Sequence, residues 1–146
     1  MDIGKFHVLL VHFPIALAVA AVVADLLRLI TRRTFFRGAS LYCLAAAIIA
    51  TPPVLVTGYL LSTELFPPGT AATIADRVED HEDMALVSFG VMIGAAVVRG
   101  LWAWKPAKWQ PAVYGLLMAA LLVCIAITGD LGGKLVYGAD FLSNIF

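Results

Sequence analysis

Three histidines, His7, His12 and His81, are the side chains of this 146-residue chain with the widest chemical reach. An imidazole can exchange protons near neutral pH and can ligate a metal ion or a haem iron. His12 stands in His12-Phe13-Pro14. Proline is tolerated in a helix's first turn, so a membrane-crossing helix can start there with the imidazole about one turn deep. An ionisable group at that depth is costly and is by default a functional candidate. Its plain alternative is a neutral ring satisfied by a carbonyl or a headgroup.

His81 opens a later apolar stretch and lies among Glu79, Asp80, Glu82 and Asp83. If His12 and His81 sit on diagonal helices of a bundle, they face each other across about 13 Å, since neighbouring helices pack about 8–10 Å apart. That gap suits one haem b with His12 and His81 as axial ligands. Gly90 and Gly94, in Gly90-Val-Met-Ile-Gly94, offer a small-residue face to a flat macrocycle, although this motif more commonly just packs two helices. His7 lies about 140° around a continuous helix from His12, so both reach one centre only if the chain breaks before Pro14. With such a break, His7, His12, His81 and a carboxylate would suit zinc, iron or manganese. The four carboxylates are more simply a solvated helix start favourable to the helix dipole.

Other groups weigh less. Asp25 with Arg28 and Arg32 reads as a snorkelling ion pair, and Thr51-Pro52-Pro53 as a mid-span kink. Cys43 and Cys124 sit inside apolar runs and read as small core residues, supporting neither a disulfide framework nor a thiolate zinc site. No nucleophile with a partnered base, phosphate loop or nucleotide fingerprint is visible, so hydrolytic and phosphoryl-transfer chemistry have no support.

The elements that must position these residues follow from composition. At 62% hydrophobic and 14% charged, the chain is far more apolar than soluble domains. Crossing the hydrocarbon core takes about 20 residues, and four apolar stretches qualify, near 8–30, 39–62, 82–104 and 111–131. Each is apolar on all faces, as lipid-embedded helices are, and helices satisfy their own backbone in lipid. The reading is a single all-α membrane domain over residues 1–146, an up-down-up-down four-helix bundle with a tail over 132–146. The first stretch is too long, and its leader too weakly basic, for an export signal. Pro67-Pro68-Gly69 predicts a turn, and Thr73 to Glu79 a short helix before the third span.

Seven bases, Arg28, Arg32, Arg33, Arg37, Arg99, Lys105 and Lys108, cluster at the two short links, against Lys5, Arg77 and Lys134 opposite. The positive-inside rule then puts the links in the cytoplasm and both termini outside. The neutral total divides into +6 at the link face, where Asp25 is the one acid, and −6 at the outer face. Nothing in that balance points to nucleic acid.

The two hairpins also echo each other. His12 is followed by Thr57-Gly58 and His81 by Thr128-Gly129, at His-to-Gly separations of 46 and 48 residues. This predicts a pseudo-twofold axis along the membrane normal.

The opening His7-Val-Leu-Leu-Val-His12-Phe-Pro, Thr57-Gly58, His81 and the closing Thr128-Gly129-Asp-Leu-Gly132-Gly133-Lys-Leu-Val-Tyr137 resemble a bacterial four-span membrane family, domain of unknown function 2231. The resemblance covers nearly the whole chain and implies four spans and a haem or metal reading of the histidines. Members often continue after the tyrosine with a histidine; here Gly138-Ala139-Asp140 follows, so a ligand at that place is missing.

The leading expectation is therefore an electron carrier, not an enzyme. It would hold haem b between His12 and His81, keep His7 as a neighbouring partner, and dock a basic periplasmic redox protein on its acidic face. The alternatives are a cofactor-free subunit of a larger membrane complex or homo-oligomer, and a non-haem metal or quinone site at His7, His12 and His81.

Overall fold

The structure, a computed structural model, describes residues 3–67 and 69–138, with side chains from Phe6 onward. Four helices account for nearly all of it: α1 Ile3–Thr31, α2 Thr34–Leu65, α3 Ala72–Trp104 and α4 Gln110–Tyr137. Each contains a stretch long and apolar enough to cross a membrane. At 1.5 Å per residue, 28 to 33 residues reach about 42–50 Å, enough for the hydrocarbon core and both headgroup layers.

All four helices run past the apolar stretches at one or both ends. The predicted short helix from Thr73 to Glu79 is the first turns of α3, and Thr51-Pro52-Pro53 lies inside an unbroken α2. α4 continues to Tyr137, so the first part of the expected tail is helical; residues 139–146 lie outside the described residues. The α1–α2 link shrinks to Arg32 and Arg33, because Arg32 adopts φ 57° and its N–H bonds back to Arg28 O at 2.8 Å. Of the predicted Pro67-Pro68-Gly69 turn, Pro68 is outside the described residues; Gly69 has φ 100° and Thr70 N–H bonds to Pro67 O.

Packing is closest within the α1–α2 and α3–α4 hairpins, weaker between α2 and α3, and weakest between α1 and α4. The core is built from small residues that let backbones approach, Ala18, Ala21, Ala47 and Ala95 among them, with Leu44, Met92, Met118 and Leu121 filling the spaces. Leu29, Ile30, Ile49, Leu116 and many other large apolar side chains face outward, where lipid is their natural solvent.

The hairpins repeat, in a register different from the one the Thr-Gly dipeptides imply. A shift of 74 residues, the separation of Asp25 and Arg99, carries the buried Pro14, Ala18 and Ala21 onto the buried Ser88, Met92 and Ala95. It also carries Ser40, Leu44 and Ala47 onto Tyr114, Met118 and Leu121. The same faces are thus buried in both copies, as an approximate twofold axis along the bundle requires. Under this shift His81 is the mate of His7, not of His12, and Gly132 is the mate of Gly58.

Candidate functional site

His7 and His81 occupy matching seats at the end of the bundle that holds the chain termini. The Nδ1 of His7 lies 3.2 Å from Val54 O and 3.3 Å from Thr57 Oγ1 on α2; that of His81 lies 3.1 Å from Thr128 O on α4. Each carbonyl lies 47 residues beyond its histidine. A carbonyl can only accept, so Nδ1 carries a proton in both rings, and in the neutral ring this leaves the lone pair on Nε2.

Glycines make the seats. A Cβ on Gly58 would fall 2.9 Å from His7 Cε1, and one on Gly132 would fall 3.0 Å from His81 Cε1. Any larger residue would push the ring away. Both imidazoles are half-buried. Ser62 of α2 donates to Glu82 of α3 at 2.5 Å, tying the hairpins together beside His81.

His12 is elsewhere. α1 is continuous through Pro14, so His12 is turned about 140° from His7. It is exposed on the helix surface and its Nδ1 is 2.7 Å from Val8 O of its own helix. Gly90 is exposed and Gly94 half-buried, and a Cβ on either would meet nothing within 4 Å. Of the five residues singled out from sequence, the fold gives His7 and His81 matching seats, one in each hairpin. Among the described residues, no three His, Cys, Asp or Glu side chains converge as a metal cage would need.

A second polar cluster lies towards the short-link end. Asp25 accepts from Ser40 Oγ at 2.7 Å, from Tyr114 OH at 2.6 Å and from Arg99 at 3.3 Å. One carboxylate on α1 therefore binds all three other helices. Asp25 makes no ion pair with Arg28 or Arg32 among the described residues; Arg99, 5% exposed at its side chain, is its counter-ion. Sequence proximity favoured the nearer arginines, but helix packing brings the diagonal one inward. The signal that could have found it is the repeat itself, since Asp25 and Arg99 are mates under the shift that relates His7 to His81. Arg99 also lies over the rings of Trp102 and Tyr114, at 5.3 and 4.9 Å.

The sequence pattern of the family described as Predicted membrane protein (DUF2231) matches residues 5–141. The chain belongs to that family. The match takes in all the paired positions above. No curated protein and no solved structure matches the chain.

Proposed function

We propose that this DUF2231 protein is a small b-type cytochrome-like electron carrier, with His7 and His81 as the axial pair in place of His12 and His81. One observation carries the reading: two mated imidazoles, each seated on a glycine with Nδ1 donating to a carbonyl of the adjacent helix. A ligating histidine typically has its second nitrogen fixed in this way, which sets the tautomer and aims Nε2. Haem b needs only two protein donors, which favours it over a non-haem ion where no third donor converges among the described residues. A haem held by these two imidazoles would supply one-electron transfer.

The positive-inside rule puts the short links in the cytoplasm and the histidine end outside, on a bacterial inner membrane. There the exposed Asp76, Glu79, Asp80 and Asp83 form an acidic rim suited to steering a basic soluble redox partner. His12 has no ligand role in this arrangement.

Expression with excess haem, followed by a pyridine haemochrome assay and elemental analysis, tests the proposal. A Soret band lost in both His7→Ala and His81→Ala and kept in His12→Ala is the expected result. A purified protein without haem overturns it, as does a band that survives His7→Ala and His81→Ala. A stoichiometric metal without haem would establish the non-haem alternative; neither haem nor metal would favour the cofactor-free subunit.

A further inference from the structure

At the short-link end a cleft of about 280 Å³ is lined by Arg28, Arg37, Arg99, Trp102, Ala103 and Pro106. Three guanidinium groups from three different helices converge on it, and their charges are unevenly matched. Arg99 is paired with Asp25. Neither Arg28 nor Arg37 has an ionic or hydrogen-bonding partner among the described residues; Arg28 only lies over the Trp102 ring, 5.8 Å from its centroid. Trp102 thus lies against two cations at once, since Arg99 is 5.3 Å from the same ring. The cleft carries two unmatched positive charges beside an aromatic wall, at the end of helices long enough to reach the headgroup layer.

We propose that this cleft is a phosphate-binding site. Guanidinium groups present planar forks of N–H donors that match phosphate oxygens, and forks from α1, α2 and α3 can share one anion. The volume is at the small end for ligand pockets, which run to about 300–1,000 Å³, and suits a phosphate group better than a whole cofactor. An anion there would also relieve repulsion among the three arginines. Its source is either the phosphodiester of an anionic lipid headgroup or free phosphate. Basic pockets at membrane-helix ends are suited to the former. This site is separate from the histidine seats and stands whether or not haem is bound there.

The test uses the full-length protein in a neutral detergent, with bound lipid counted by native mass spectrometry against added phosphatidylglycerol, phosphatidylcholine and inorganic phosphate. Preferential retention of phosphatidylglycerol is expected, weakened on the order of tenfold by Arg37→Gln and by Arg28→Gln, because each loses a charged hydrogen-bond donor. Arg37 is exposed in the first turn of α2, so its replacement leaves the bundle standing, and an unchanged thermal midpoint verifies this. Arg32→Gln, a charge change at the same end but outside the cleft, should leave retention unchanged. Displacement of the lipid by millimolar inorganic phosphate assigns the site to free phosphate; retention against it assigns the site to lipid. Three results overturn the proposal: equal retention of the two lipids with no phosphate binding, selectivity that survives both Arg28→Gln and Arg37→Gln, or an equal loss in Arg32→Gln.

Discussion

At the terminal end of the bundle, repeat mates are the same residue in the same setting: His7 with His81, Gly58 with Gly132, and a carbonyl 47 residues beyond each histidine. Towards the short-link end, mates have become chemically opposite. Asp25 faces its mate Arg99, and Ser40 and its mate Tyr114 both donate to the same aspartate oxygen. Two copies of one hairpin related by a true twofold axis would bring aspartate against aspartate there, and like charges in a low-dielectric setting repel strongly. One chain carrying both hairpins escapes that constraint, because each copy can change alone. The short-link end has used this freedom to build a lock; the terminal end has kept its pair alike, as a centre needing two equal donors would.

The largest effect should come from breaking the opposite pair. Asp25→Ala leaves Arg99 charged, buried and unpaired, and should cost about 3–5 kcal/mol, the usual penalty for removing one partner of a buried ion pair. Thermal or denaturant midpoints in detergent or bicelles measure it. Because the two residues are repeat mates, the exchange Asp25→Arg with Arg99→Asp should recover more than half of that loss. No recovery would mean that the Ser40 and Tyr114 hydroxyls require the carboxylate on α1.

Next in size are the glycine seats. Gly58→Ala and Gly132→Ala each place a methyl about 3 Å from an imidazole carbon, and overpacking of this kind costs about 1–3 kcal/mol. The two losses should agree within about 0.5 kcal/mol, and haem uptake should fall in both. Clearly unequal losses would break the symmetry argued for this end. Gly90→Ala is the contrast: open space receives the methyl, and helix propensity alone should make it neutral or stabilising by up to about 1 kcal/mol.

Tyr114→Phe removes one of three bonds to Asp25 while keeping the ring under Arg99, and should cost about 0.5–1.5 kcal/mol. The smallest change is expected for His12→Gln, an exposed side chain bonded only to its own helix, within about 0.5 kcal/mol.

Hydropathy made the four spans and the antiparallel bundle legible, because a lipid-crossing helix needs little beyond length and apolarity. Helix ends were less legible. The helix over Thr73 to Glu79 was legible, but not that it runs on through Asp80, Glu82 and Asp83 into the third span as one element, since helix formation tolerates charge where apolar patterning stops. The paired site was only partly legible. His12, beside its proline and deeper in the span, looked the better ligand, and the Thr-Gly dipeptides set the repeat off by three residues at Gly129. The true mates share too few identities to align by eye; what repeats is a pattern of burial, which only packing reveals. The Asp25 lock was missed for a related reason, since its partners Ser40, Arg99 and Tyr114 lie on three other helices.

The aspartate has a consequence for how the protein is made. A ribosome delivers the first hairpin before the second, and that hairpin holds Asp25 with Ser40 alone, while Arg99 and Tyr114 follow later. The first hairpin alone therefore lacks the counter-ion of Asp25, and completion of the second hairpin supplies it.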